Sequence, residues 1–303
     1  MTDGPLIFDR ALVRARRRRA AALGAAEFLL DRVAQDLVDR LGVVLRRFEL
    51  AADIGTPGEA VRTALLRLGS VGSIVAVDAV PELHTAGARK IANLIIADEE
   101  ALPFRDASLD LAVSALALQF VNDLPGTLVQ IRRALKPDGL FLAALVGGET
   151  LTELRQAFAA AESDIEGGAS PRVAPFADVR ALGDLLQRAG FALPVTDSDR
   201  YTLRYDTPFA LMAELRRMGA TNALVARRRT PLRRATLARM AEIYRERFAD
   251  ADGRVRATFD IVWLSGWAPH PNQQQPLKPG SAQARLADAL GSREISAGEK
   301  PGR

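Results

Sequence analysis

The chain has 303 residues, 48% of them hydrophobic and 26% charged, enough apolar length to bury a large core, which excludes disorder throughout. Its lack of cysteine excludes disulfides, thiolate zinc sites, thiolate-held iron–sulfur clusters and cysteine nucleophiles, and the two histidines, His84 and His270, are too few and too far apart for a metal to be expected. The net charge of +4, carried by arginine with lysine only at Lys90, Lys136, Lys278 and Lys300, is too mild to indicate a nucleic-acid partner, which calls for clustering on one face.

Taken in order, residues 11–47 read as helix. Leu12, Leu23, Phe28, Leu30, Val33, Leu37, Leu41 and Val44 recur near helical spacing with charges between them. Arg14 and Arg16–Arg19 form the densest charge run. It reads either as a solvated helix face or as a surface for an acidic partner, phosphate or membrane headgroups. Such a run repels itself, so an anion nearby would help to order it. Apolar runs such as Leu109–Leu118 are far short of the ~20 residues that cross a bilayer as a helix, so no integral membrane segment is expected.

The texture then changes. Phe48–Ile54 reads as a buried strand that stops at Gly55-Thr56-Pro57-Gly58, and Val61–Leu68 as a helix. Ser73–Asp78, Leu94–Ala97 and Leu109–Ser114 are short strands. A helix over Leu124–Leu135 ends at Lys136-Pro137-Asp138-Gly139 and leads into a strand over Leu140–Val146. Short apolar strands alternating with helices imply βαβ units and a mostly parallel sheet with helices on both faces, a Rossmann-like α/β fold. Beyond Gly147-Gly148 the pattern predicts helices over Leu151–Ala161, Val179–Ala189, Phe209–Met218 and Pro231–Phe248. It predicts strands over Tyr201–Tyr205 and Thr258–Trp267. The expected organisation is an N-terminal helical segment (1–47), a main domain (48–268) with a helical insertion (206–256), and a C-terminal tail (269–303), mobile after about Ser281.

Four features carry chemical information. Asp53-x-Gly55-x-x-Gly58 follows the first strand and opens a helix. Asp78 ends the second strand, Asp98-Glu99-Glu100-Ala101-Leu102-Pro103-Phe104 follows the third, and Leu135-Lys136-Pro137-Asp138-Gly139 precedes the fifth. Glycines after the first strand let the backbone turn sharply and approach a ligand. An acid ending the second strand can accept both ribose hydroxyls. An acid beside an apolar loop after the third can meet an exocyclic amine while aliphatics cover a purine. In an open α/β sheet ligands bind at the carboxyl ends of the strands, so the pattern suits an adenosine-bearing cofactor.

Here the sequence resembles the class I S-adenosylmethionine-dependent methyltransferases, by motif over roughly residues 48–148. The family's first loop reads D-x-G-x-G-x-G; in this chain Pro57 and Glu59 stand where the second and third glycines belong. The resemblance implies S-adenosyl-L-methionine as cofactor, with Asp53, Gly55, Thr56, Gly58, Asp78, Asp98, Glu99 and Ser114 around it. The bland alternatives are a turn-capping role for Asp53, a helix cap for Asp78 and a solvated loop at Asp98 and Glu99. Gln119, Asn122 and Asp123 lie where this fold places its acceptor pocket and are the candidate catalytic residues, although Asp123-Leu124-Pro125 equally reads as a helix start.

A further set of patterns lies in loops. It comprises Ile7-Phe8-Asp9-Arg10, Val121-Asn122-Asp123-Leu124-Pro125, the run Gly147-Gly148-Glu149-Thr150-Leu151, Pro171-Arg172-Val173-Ala174-Pro175-Phe176, Met218-Gly219-Ala220, Gly266-Trp267 and Gln275–Ser281. With these the chain resembles the respiratory complex I assembly factor 5 family across nearly its whole length. The resemblance implies modification of a protein substrate, a subunit of respiratory NADH dehydrogenase, with arginine hydroxylation as the chemistry ascribed to mitochondrial members. The basic N-terminal stretch holds Asp3 and Asp9 and no apolar core followed by a cleavage site, so a cytoplasmic bacterial protein, able to work at the inner face of the membrane, is expected. Phe8-Asp9-Arg10 is expected to fold over the cofactor or pack at the N-terminus. The helices of 206–250 are expected to cover the acceptor site and grip the protein substrate, with Arg227–Arg229, Arg233 and Arg234 as a binding patch or a solvated face. His270 is expected to serve packing or surface, and Trp263 and Trp267, four apart on a strand, to face one side. Two other readings stay open: a methyltransferase acting on a small or carrier-bound acid, as in biotin synthesis, and a non-catalytic assembly chaperone with a degenerate cofactor loop.

Overall fold

The computed structural model describes residues 6–84, 93–273, 288 and 291–292. The chain divides into two compact units, Met1–Pro269 and His270–Arg303. The Gln275–Ser281 motif and the mobility expected after Ser281 lie outside the described residues.

In the first unit the N-terminal stretch forms two helices, not one: α1 (Arg10–Ala22) and α2 (Phe28–Gly42). The break falls at Gly24, whose φ of +78° is left-handed and ends α1. α1 starts where the Asp9 side chain accepts the Leu12 N–H at 3.0 Å. There follow β1 (Phe48–Ile54), α3 (Ala60–Leu68), β2 (Val71–Val77), β3 (Leu94–Ile95), β4 (Leu109–Ala115), α4 (Leu124–Ala134) and β5 (Leu135–Gly147). The chain continues with α5 (Thr152–Glu166), α6 (Val179–Arg188), β6 (Ala192–Tyr205), α7 (Pro208–Arg217), α8 (Arg234–Phe248) and β7 (Val255–Trp267).

The strands join in one seven-stranded sheet of order β3-β2-β1-β4-β5-β7-β6. β1, β2, β3 and β4 pair in parallel, as does β4 with β5, whereas β7 runs antiparallel between β5 and β6. Both faces are covered, as the unbroken apolar strands require. One core joins Leu37, Phe48, Val113, Leu154 and Tyr244; the other joins Ile54, Leu128, Phe141, Leu186 and Val262.

The Lys136–Gly139 segment does not separate helix from strand. β5 begins at Leu135, and its pairing with β4 shifts register between Leu109 and Leu111. Asp138 sits at φ +65° and donates its N–H to the Ala268 carbonyl at 3.0 Å. A bulge absorbs the proline, which has no N–H to give the ladder. β6 is also longer than its alternation over Tyr201–Tyr205 suggests, because it pairs with β7 from Ala192 onward. Trp263 is buried, donates its ring N–H to Asp199 at 2.8 Å, and carries Arg40 over its face at 4.3 Å.

In the second unit the described residues form a turn at His270, whose Nδ1 accepts the Asn272 N–H at 3.1 Å. Among the described residues no helix is long and apolar enough to cross a membrane.

Candidate functional site

The switch in strand order between β1 and β4 opens a crevice at their carboxyl ends. Gly55 leaves β1 at φ +70°. A Cβ added there would lie 2.7 Å from the Glu99 side chain and 3.0 Å from the Ala117 Cβ. Only glycine allows both the left-handed backbone and that approach. Gly55→Ala is therefore expected to cost about 1–2 kcal/mol from the backbone conformation alone, with the clash added, and thermal melting checks it. Thr56 and Ser114 fasten the loop to β4: the Thr56 hydroxyl accepts the Ala115 N–H at 2.9 Å, and Ser114 Oγ donates to the Ile54 carbonyl at 2.7 Å.

Around this crevice the structure assembles an alternating row of acids and bases. Arg62 on α3 donates to Asp53 at 2.9 Å and to His84 Nδ1 at 2.9 Å. Because a guanidinium only donates, Nδ1 must accept, so the ring proton sits on Nε2 and is given to Asp78 Oδ2 at 3.0 Å. Arg17 on α1 then donates to Asp78 Oδ2 at 3.1 Å, to Glu99 Oε1 at 3.2 Å and to the Gly55 carbonyl at 2.6 Å. Arg10 bonds Glu99 and Asp98, and Arg14 bonds Asp98 at 2.9 Å. Asp53, Asp78, Glu99, Arg17, Arg62 and His84 are all buried.

The arginine run is thus not a solvated face throughout. Arg17 is 8% exposed, and the anions that order the run are the protein's own carboxylates. A charge this deep is tolerated only when paired and hydrogen-bonded. Burial pushes the Asp53 carboxyl above the usual range against the pull of Arg62. Asp98 goes the other way: burial would raise it, but the Glu100 N–H, Arg10 and Arg14 together hold it below the usual range. A depressed carboxylate adds stability above its unfolded-state value and loses it as pH falls through the folded-state value. The Asp98 clamp on α1 is therefore expected to persist at neutral pH and to loosen only below the ordinary carboxylate range. Amide exchange of residues 10–22, followed from pH 6 down to pH 3, checks this.

The predicted site residues divide into two groups. Gly55, Asp78, Asp98 and Glu99 meet around Arg17 and Arg10. Asp53 turns to Arg62, with its Oδ1 buried and without a hydrogen-bond partner. Gly58, at φ +83°, lines a neighbouring cavity with Pro57. Gln119 reaches the same cavity; it donates to the Leu116 carbonyl at 2.8 Å and leaves its Oε1 buried without a partner. Asn122 and Asp123 are engaged elsewhere. Asn122 Oδ1 accepts the N–H groups of Ile7 and Phe8 at 2.9 and 2.8 Å, and Asp123 caps α4 through the Gly126 N–H at 2.9 Å. Phe8 packs edge-on against Phe120 with centroids 5.7 Å apart.

Arg17, Arg62 and His84 escaped the sequence reading. The available signal was the demand for counter-charge made by three acids at buried strand ends.

The cavity holds about 490 Å³, within the usual range for small-molecule sites. Leu30, Leu116, Leu154, Phe158, Phe176, Met212 and Phe259 form apolar wall, while Arg16, Arg19, Arg216 and Arg217 stand among its lining residues. α7 supplies one wall through Met212, Leu215, Arg216 and Arg217. Arg16 and Arg19 both donate to the Thr221 hydroxyl. Burial, together with Arg19 and Arg227, holds the Arg16 guanidinium below its ordinary range against the pull of Asp9.

The Gly167–Phe176 loop closes another side. It is tied down by Glu162, which is fully buried and accepts from the Ser170 N–H at 2.6 Å and from Arg172 Nε at 2.8 Å. Glu162→Ala is expected to lower stability by about 3–5 kcal/mol and to expose the loop to limited proteolysis.

A methyltransferase-domain family model matches residues 52–143. The chain is 37% identical to the zebrafish arginine-hydroxylase NDUFAF5, over 94% of this chain and 90% of that protein. It is 36% identical to a malonyl-[acyl-carrier protein] O-methyltransferase of Xylella fastidiosa, over 87% and 89%. A Bacillus halodurans protein described as a candidate methyltransferase shares the fold with a TM-score of 0.53 at 15% identity, covering 78% of this chain and all of that one. The chain therefore belongs to the class I methyltransferase-fold enzymes, in the complex I assembly factor 5 family.

Proposed function

We propose that the protein binds S-adenosyl-L-methionine in the crevice between β1 and β4 and modifies a subunit of respiratory NADH dehydrogenase during its assembly. The observation that carries the cofactor half is the row of acceptors formed by the Gly55 carbonyl, Asp78 and Glu99. It suits a ligand that presents hydroxyls, an ammonium and an exocyclic amine, with the glycine at φ +70° letting the Glu99 side chain approach the turn. When bound, the cofactor supplies an electrophilic methyl on a sulfonium. Asp78 would hold the ribose hydroxyls, Asp98 and Glu99 would meet the base, and Thr56 and Ser114 would keep the loop against β4. Gln119, which lines the cavity and holds a buried Oε1 without a partner, would orient the group to be modified. Transfer would then rest on in-line positioning of the acceptor.

The assembly half rests on similarity along 94% of the chain to a protein called an arginine-hydroxylase. Two experiments test the reading. Calorimetric titration with S-adenosylmethionine is expected to give saturable heat, and silence up to millimolar ligand would remove the cofactor. Deletion of the gene is expected to remove a mass shift from one subunit of the enzyme and to slow its assembly. An unaltered subunit in a normally assembled enzyme would end the assembly role.

One observation favours a second reading, methylation of a carrier-bound acid. No carboxylate among the described residues forms an ion pair with Arg16 or Arg19, and an acidic acceptor in the cavity would supply the missing charge, whereas a substrate arginine would meet like charge. Transfer of labelled methyl to a malonyl thioester on its carrier protein, and rescue of a biotin auxotroph, would establish it.

A further inference from the structure

α1 is held to the domain by charge more than by apolar burial. Its buried residues are Val13, Arg17 and Ala20. Arg10, Arg14 and Arg17 reach the acids of the crevice, and Arg18 reaches Glu82 at 3.2 Å. The Arg17 guanidinium occupies the acceptors at the mouth of β1, β2 and the loop after β3: the Gly55 carbonyl, Asp78 Oδ2 and Glu99 Oε1. Those are the acceptors proposed above for the cofactor, and both lone pairs of Asp78 Oδ2 are already taken, by Arg17 and His84, so a ribose hydroxyl reaches that oxygen only when one of the two leaves it.

We propose that Arg17 is an internal occupant of the cofactor site, so that cofactor entry requires its guanidinium to leave and α1 to loosen.

Charge favours such an exchange. The row sets four carboxylates, Asp53, Asp78, Asp98 and Glu99, against the guanidiniums of Arg62, Arg17, Arg10 and Arg14, its outer members Asp98, Arg10 and Arg14 being only part-buried. S-adenosylmethionine has a sulfonium, an ammonium and a carboxylate, hence one net positive charge, and replaces Arg17 without leaving an acid uncompensated. Ion pairs separate readily where few apolar contacts oppose it, and α1 ends at the left-handed Gly24, around which an added Cβ would touch nothing. Arg16, Arg17, Arg19 and Ala20 also line the acceptor cavity, so release of α1 would widen that cavity in the same movement. The apparent affinity of the intact protein is then reduced by the fraction of molecules in which Arg17 is seated.

The proposal rests on the cofactor reading, and its test separates the two. S-adenosylmethionine is titrated calorimetrically into the full chain and into Arg17→Ala and Arg17→Met. Amide exchange of residues 10–22 in the unmodified protein is followed with and without the ligand. Binding at least tenfold tighter in the variants, with faster exchange in α1 on ligand addition, is the expected result. Weaker binding in folded variants, or slower exchange in α1 of the unmodified protein, makes Arg17 a cofactor ligand and overturns the proposal while leaving the cofactor reading standing. If the variants fail to fold, exchange in the unmodified protein decides alone, and unchanged exchange at saturation counts against the proposal. Absence of binding in every form removes the cofactor and the proposal together.

Discussion

Asp78→Ala is expected to be the most damaging single substitution in the crevice. Asp78 is 1% exposed. Its Oδ1 accepts the Val80 N–H at 2.7 Å, and its Oδ2 accepts from His84 and Arg17 at 3.0 and 3.1 Å. Truncation leaves a buried guanidinium and an imidazole N–H facing each other across a void. Removing one partner of a buried ion pair costs about 3–5 kcal/mol. For a unit of this size that lowers the melting temperature by on the order of 10 °C. Asp78→Asn keeps the shape and the acceptor oxygen, so it is expected to recover part of the stability while still failing to bind S-adenosylmethionine. Thermal melting separates the two variants on the first count and calorimetry joins them on the second. An Asp78→Ala protein that melts within a degree or two of the parent would mean that the row of alternating charges does not hold the crevice.

Arg62→Met addresses the other end of the row. Arg62 is the ion-pair partner of Asp53 and the donor that fixes the His84 tautomer. Without it a carboxyl already pushed above the usual range by burial loses the group that opposes the push. The expected loss at neutral pH is again about 3–5 kcal/mol, and its pH dependence identifies the cause. A carboxyl whose folded-state pKa lies above the unfolded value takes up its proton more readily when folded, so stability rises as pH falls through that window. Arg62→Met is therefore expected to regain part of its deficit between pH 7 and pH 5, where the parent protein gains less. Parallel thermal melts at the two pH values measure the difference. A deficit independent of pH would point to lost packing of the arginine stem in place of an unpaired acid.

The Arg17–Asp78 bond spans 61 residues, and most of what the sequence did not show is of that long-range kind. β1, β4 and α3 were legible because each is a local pattern: an apolar run bounded by glycine, or a helical period. The continuity of β5 through Lys136–Gly139 was hidden because Pro137 and Asp138 carry turn chemistry, and only the register with β4 and the bond to Ala268 turn that chemistry into a bulge. The arginine run was visible as charge but not as burial. Its spacing on a helix is compatible with either, and the acids that draw Arg17 inward lie 61 and 82 residues away. Asn122 and Asp123 show the converse: a motif in a well-marked place whose side chains serve the N-terminal strap and a helix cap.

The amino-acid sequence by itself determined the α/β class, the order of strands and helices, the glycine at the turn out of β1, and the acids at the strand ends. These depend on periodicity and on residue-specific backbone limits, which act over a few neighbours. Only the tertiary structure decided where those acids find their counter-charge, because ion pairing in a low-dielectric interior is settled by which side chains the packing brings within about 3 Å, whatever their separation along the chain. That selection seats Arg17 in the crevice, sets the ring proton of His84 on Nε2, and leaves Arg16 and Arg19 facing an apolar cavity without an ion-pair partner among the described residues.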